Sequence, residues 1–273
     1  MFGSAIDEAI NDLLEKDIDP IKTFQDFFSY EKCDKITFEI KDYQPELFTT
    51  EHLELLKDKD EHYKQWANFR IKGRLLLECF QDNIVPKIKK VVAVQKETNS
   101  RPGFIDCILE LDDDGPILCD VKTARRPYKQ EQAALSTQLA LYAKDQGIDR
   151  IAFLVLVKTL DKDKVCSKCG FDGSGRMFKT CNNTVDGTRC HGKWDIEVKA
   201  PKFQIIVDKV DKVLQDNVSE SIAECERSIE AKIFPKNLNN CGAIYGQPCQ
   251  YFNYCHKNDD MGLIIEPERK INA

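Results

Sequence analysis

Residues 151–157 read IAFLVLV, with no polar side chain among them. A strand with one face in water alternates apolar with polar residues, and a strand without that alternation is covered on both faces. The chain must therefore build a sheet with layers on either side, and helices are the elements able to supply them. At 273 residues it is long enough to bury such a core.

The flanking patterns agree. Residues 5–16 form an amphipathic helix with Ala5, Ile6, Ala9, Ile10, Leu13 and Leu14 on one face. The charge-rich stretch 51–83 reads as helical, turning Trp66, Phe69, Leu76 and Phe80 to the core. Strand patterns follow at 88–96, 103–111 and 116–122, the last two joined by the turn sequence DDDG at 112–115. A helix is expected over 129–146, a strand over 194–207 and a helix over 208–230. The order predicts an α/β fold, a mixed central sheet flanked by helices.

Composition narrows the function classes. A net charge of −6 argues against a surface coated with non-specific nucleic-acid affinity. It leaves room for a site that gathers metal-binding carboxylates, with DNA held by a local basic strip. Arg125, Arg126 and Lys129, following Lys122, are the candidates for that strip. No stretch approaches the roughly 18 consecutive apolar residues of a membrane span, and the first residues lack the basic start and apolar run of a signal peptide. The expectation is a cytoplasmic protein without a membrane partner, in the host cytoplasm if the source is viral.

Asp106 and Asp120 stand in adjacent expected strands. Asp120 and Lys122 are two apart and so share a face, while Val121 turns into the core. Pairing across the hairpin can bring Asp106 beside Asp120. Two carboxylates and an ammonium would then converge, with Ile105, Ile117, Leu118 and Val121 marking the strands as interior. Isolated, such a trio is also compatible with a solvated surface hairpin. In interior strands, charged groups need a reason. Magnesium takes one or two carboxylates plus water and phosphate oxygens. A lysine beside it can orient or deprotonate the attacking water, or neutralise charge in the transition state.

GFID (103–106), CDVKT (119–123) and STQLALYA (136–143) resemble three successive motifs of the RecB-type branch of the PD-(D/E)XK nucleases, which includes CRISPR-associated adaptation exonucleases and phage recombination nucleases. The resemblance implies a restriction-endonuclease-like core in which Asp106, Asp120 and the carbonyl of Val121 bind magnesium or manganese and Lys122 is catalytic. It further implies that Gln138 and Tyr142, four apart on one helix face, line the DNA groove. FGSAIDEAI at 2–10 resembles the family's early G-x-x-x-H-E helix, with Gly3 and Glu8 in place and Asp7 where histidine is usual. Asp7 is expected to complete the metal shell; Glu8 could share that role or favour the first helical turn. Gly73 with Glu78 is a second, weaker match.

Of twelve cysteines, Cys166, Cys169, Cys181 and Cys190 fall within a segment poor in apolar residues. Their pattern reads as a zinc ribbon inserted at 161–193, with His191 as an alternative ligand. The core would then comprise 1–160 and 194–273. Cys241, Cys249 and Cys255 lie among aromatic residues near the end. By resemblance to RecB-type nucleases they imply a 4Fe–4S cluster, its fourth ligand among Cys33, Cys79 and Cys225, the alternatives being a second zinc site completed by His256 or no metal. Cys107 and Cys119 read as small buried hydrophobes.

The expected function is a metal-dependent DNA nuclease, an exonuclease by resemblance, acting on single strands or free ends in recombination, repair or replication, with other proteins of those processes as partners and a phage as a candidate source. The rival is a catalytically weakened binding module that uses the ribbon to hold DNA or protein.

Overall fold

The computed structural model describes residues 1–99, 103–174 and 180–231. The chain divides into two compact units, Met1–Val218 and Ser219–Ala273. The described residues of the second are 219–231. In chain order the elements are α1 (Phe2–Lys16), α2 (Pro20–Phe27), α3 (Tyr30–Cys33), α4 (Thr50–Leu55), α5 (Glu61–Asn83), β1 (Lys90–Glu97), β2 (Phe104–Glu110), β3 (Ile117–Ala124), α6 (Thr137–Gln146), β4 (Arg150–Val157), β5 (Lys162–Cys166), β6 (Thr184–Val185), β7 (Thr188–Arg189), β8 (Trp194–Val198), β9 (Lys202–Lys209) and α7 (Lys212–Glu230).

The main sheet has the order β1-β2-β3-β4-β9. β3 and β4 are parallel and every other pair is antiparallel. A parallel pair needs a crossover, and α6 provides it. The apolar run at 151–157 is the interior strand β4, parallel to β3 and antiparallel to β9. Ala152, Leu154 and Leu156 face a core that includes Phe24, Phe28, Phe69, Leu76 and Phe80 of α2 and α5 together with Ile6 and Ile10 of α1. Ile151, Phe153 and Val155 face a second core with Leu139 and Ala143 of α6. The protein is thus α/β, with a mixed five-stranded sheet covered by helices on both faces.

Three expected elements are divided. The helix expected over 51–83 breaks at residues 56–60, where the Asp60 carboxylate caps α5 by accepting the Tyr63 N–H. The helix expected over 129–146 is a short 3₁₀ turn at Gln130–Gln132 followed by α6, whose start is fixed by Ser136 Oγ accepting the Leu139 N–H. The strand expected over 194–207 is two strands serving different sheets. β8 pairs with β5 in the cysteine-rich segment, and β9 pairs with β4 as an edge of the main sheet. Pro201, unable to donate to a ladder, lies between them. Among the described residues no helix is long and apolar enough to cross a membrane.

Candidate functional site

The β2–β3 ladder ends at Cys107↔Cys119. Continuing the register, the next opposed positions are Asp106 and Asp120. There the strands part, and the N–H of Val121 donates to Asp106 Oδ2 at 2.9 Å. A carboxylate takes the place a backbone acceptor would have filled. Lys122 Nζ lies 2.6 Å from Asp120 Oδ2. This buried carboxylate oxygen therefore faces a single cation, the Lys122 ammonium. Val121 packs into the core on the opposite face, as alternation requires.

The third carboxylate arrives from α1, which packs against β1, β2 and β3. Gly3 permits the close approach of its first turn: a Cβ there would lie 3.2 Å from Thr123 Oγ1. Asp7 is half-buried and Glu8, next along, is exposed. Burial, then the charges of Asp106 and Asp120, pushes Asp7 up to about 7 against the opposing pull of Lys122. Burial raises Asp120 to about 6, with Lys122 opposing and Asp106 assisting. Burial also raises Asp106, against the Val121 N–H and Lys122. For Lys122 burial disfavours the ammonium, yet Asp120 and Asp106 outweigh it and hold the amine above its ordinary value. These shifts describe a desolvated cluster of negative charge with one resident cation.

The weaker match at Gly73 and Glu78 has a packing explanation. A Cβ at Gly73 would overlap the Phe24 ring. Glu78 pairs with Arg74 on the helix surface at 3.5 Å.

On α6, Gln138 and Tyr142 share a face, with Gln138 Nε2 donating to Tyr142 Oη at 3.5 Å. Tyr142 stands over the start of β2, where a Cβ on Gly103 would come within 3.2 Å of its hydroxyl. Arg126 and Lys129 are exposed beyond the end of β3. Arg125 is also exposed but engaged: it donates to the Lys41 carbonyl at 3.3 Å and lies 3.6 Å from Asp42.

Asp42 belongs to a buried polar network that the sequence reading did not single out. Lys158 Nζ is 2.6 Å from its carboxylate. Lys72, fully buried on α5, donates its ammonium to the Asp42 carbonyl. Asn68, one turn before Lys72, bonds both backbone groups of Gln44. The available signal was a lysine placed at the helical spacing of the core residues Phe69 and Leu76.

Cys166, Cys169, Cys181 and Cys190 bring their sulfurs within 4.8 Å of one another, and the cluster could bind a metal ion such as zinc. Cys166 and Cys190 lie 3.5 Å apart, Cys169 and Cys181 3.7 Å. A tetrahedral zinc with sulfur at about 2.3 Å places its ligands about 3.8 Å apart, so the donor set fits. Gly170, at φ 67°, closes the turn after the first pair. Gly192 has no room for a side chain, since a Cβ would lie 2.5 Å from Cys166 Sγ. Burial opposes the Cys166 thiolate, but the N–H groups of Lys168 and Cys169 outweigh it and bring the thiol down to about 6. His191 is exposed beside this complete set. Among the described residues, no other group of three or more candidate ligands is as tightly gathered. Asp7, Asp106 and Asp120 do not form such a group. Cys107 and Cys119 are buried where expected; Cys241, Cys249 and Cys255 lie outside the described residues. No known family model and no curated protein matches this sequence.

Proposed function

We propose that the protein is a metal-dependent DNA nuclease of the PD-(D/E)XK type, and that Asp7, Asp106, Asp120 and Lys122 form its active site. One observation carries the reading. Where β2 and β3 part, an aspartate from each strand, a lysine two residues along β3 and a third carboxylate from α1 share one partly desolvated region. Water-excluded like charges are costly to hold together, and a divalent cation is the natural compensation. The buried Asp120 carboxylate, whose charge is met by Lys122, suits a metal ligand.

Asp106, Asp120, Asp7 and the carbonyl of Val121 would hold magnesium or manganese, which, when bound, polarises the phosphate and acidifies a water. Lys122, held by Asp120, orients the attacking water and offsets charge growing on the phosphate oxygens. The Val121 N–H fixes Asp106 so that one of its oxygens remains for the metal. Gln138 and Tyr142 on α6 contact DNA beside this centre, while Arg126 and Lys129 contact its backbone. We assign zinc to the four-cysteine cluster as a structural ion, and an iron–sulfur cluster to Cys241, Cys249 and Cys255, which an absorption spectrum and metal analysis would test. Substrates are single-stranded DNA or DNA with free ends, met in recombination, repair or replication.

The test is cleavage of end-labelled single- and double-stranded DNA by purified protein with manganese, with and without chelator. Lys122→Ala is expected to fold normally and lower the rate about 10²–10⁴-fold. Equal activity in that variant removes the mechanism. A specific observation favours one alternative: Asp7, standing where relatives by resemblance carry histidine, is held near pH 7 and is partly protonated at neutrality. DNA bound without cleavage under every metal condition would identify a binding module instead.

A further inference from the structure

A cavity of about 350 Å³ opens between α2, α4 and α5, and none of its lining residues belongs to the carboxylate centre or the cysteine cluster. Trp66, Ile71 and Leu55 give it apolar walls, while Arg70, Arg74 and His52 give it polar ones. No aspartate or glutamate lines it, in a chain with 46 acidic residues against 40 lysines and arginines. The walls are therefore apolar and cationic against the charge of the whole molecule.

The polar groups are partly pre-set. The Arg70 guanidinium lies 5.3 Å over the Trp66 ring, and its Nη2 donates to Gln25 Oε1 at 3.1 Å. A guanidinium carries five N–H donors, so this bond orients it without exhausting it. Arg74 meets Glu78 only through an exposed ion pair at 3.5 Å, which is weak and exchangeable. His52 Nδ1 accepts the Thr49 N–H at 3.2 Å, which places the proton of the neutral ring on Nε2 and makes that nitrogen a donor. The apolar surface continues outward through Leu53 and Leu55, which are 56% and 76% exposed.

We propose that this cavity docks a short acidic peptide segment of a partner protein, one bulky apolar side chain seated against Trp66 and Ile71 and neighbouring carboxylates paired with Arg70 and Arg74. Arginine forks match carboxylates bidentately, and a buried apolar anchor beside them is the usual centre of such an interface. A nucleic-acid strand fits less well. Glu51, Glu54, Asp58, Asp60 and Glu61 are all exposed on α4, the following loop and the start of α5. A long continuous polyanion would run against more of them than a short segment would. The cavity also lies near the small end of ligand sites, at the scale of one large side chain and its neighbours.

The experiment is fluorescence anisotropy of the full-length protein with a fluorescein-labelled peptide of sequence Asp-Glu-Asp-Glu-Leu-Phe. Saturable binding is expected. It should weaken about tenfold or more in Arg70→Glu and in Leu55→Asp, and disappear when Leu-Phe is replaced by Ser-Ser or the acids by lysines. Leu55 is exposed, so its variant tests the cavity without threatening the fold, and unchanged circular dichroism melting confirms this. The proposal is overturned by absence of saturable binding at about 1 mM peptide, the weak limit of specific recognition. Equal binding of the Ser-Ser peptide, or insensitivity to both variants, overturns it too. It also fails if a thymidine 20-mer displaces the peptide and loses its own affinity in Arg70→Glu, because the cavity would then be a nucleic-acid site. DNA cleavage by Leu55→Asp is expected to match the unsubstituted protein, so this result stands apart from the fate of the nuclease reading.

Discussion

Asp7 concentrates the electrostatic cost of the carboxylate centre. Its carboxyl titrates near 7 in the folded chain against an ordinary 3.8. Between those values the folded state holds a proton that the unfolded state has released, so this group's stabilising contribution, complete below about pH 4, is lost as pH rises through 7. Asp120, raised to about 6, acts in the same direction. Asp7→Asn is therefore expected to raise the melting temperature at about pH 8 and to flatten its decline from about pH 5. Manganese should raise the unsubstituted protein's melting temperature at about pH 8 more than at about pH 5, since a cation competes with protons for the same oxygens. Thermal melts across that range check both, and a profile that Asp7→Asn leaves unaltered would contradict the coupling. Asp106, Asp120 and Lys122 were legible in the sequence because strand alternation and a tight turn are local rules. The position of Asp7 was not legible from its helix alone. It depends on how α1 docks against strands some hundred residues later, and only the family resemblance pointed there.

The cysteine-rich segment is an element whose order rests on ligand chemistry more than on apolar burial. It holds two small sheets, and among its described residues the buried apolar cluster is Cys166, Cys181 and Cys190, with Cys169, Phe171 and Trp194 packed against it. Removing metal with a strong chelator is expected to open this segment alone. Limited proteolysis should then cut between Lys162 and Val198, while amides of β3 and β4 keep their hydrogen-exchange protection. Simultaneous loss of protection in the main sheet would show that the cluster supports the entire fold. Gly192→Ala should lower metal affinity, because its Cβ would press on Cys166 Sγ. Elsewhere, Gly73→Ala forces a methyl into the Phe24 ring and is expected to cost about 1–3 kcal/mol in denaturant melts. The cysteine spacing was visible in the sequence because the ligands lie close along the chain. The break of the expected 194–207 strand at Pro201 was missed because the apolar pattern continues across it, although the proline itself was a signal.

Across the whole first unit, the least legible feature is the network that ties the 42–44 loop to α5 and to the ends of β3 and β4. Asp42 is 3% exposed and is shared by Lys158 and Arg125, while Lys72, with no exposed surface, bonds its carbonyl. These partners are 24 to 116 residues apart, counting the Gln44 bonds to Asn68 and Leu160 that extend the network. No local pattern announces such a set. The two kinds of charge are not equivalent. Removing the Asp42 charge leaves Lys158 without its carboxylate and Lys72 without the negative charge beside it, and Asp42→Asn is expected to destabilise the protein by about 1.5–3 kcal/mol. Removing Lys72 leaves the Asp42 carboxylate paired with Lys158 but takes the donor from its carbonyl, so Lys72→Met, which retains most of the side-chain volume and relieves the buried charge, should lose no more than about 1–3 kcal/mol at pH 7. Burial, opposed by Asp42 and assisted by Lys158, pulls Lys72 from 10.5 down to about 8. Between those values the unfolded chain holds the proton more tightly, so stability should climb as pH rises from about 8 toward 10. Urea titrations at about pH 7 and pH 9 test the account together. The unsubstituted protein should gain stability over that interval and Lys72→Met should not. A larger loss in Lys72→Met at pH 7 would mean that the ammonium, despite its burial, is an indispensable member of the network.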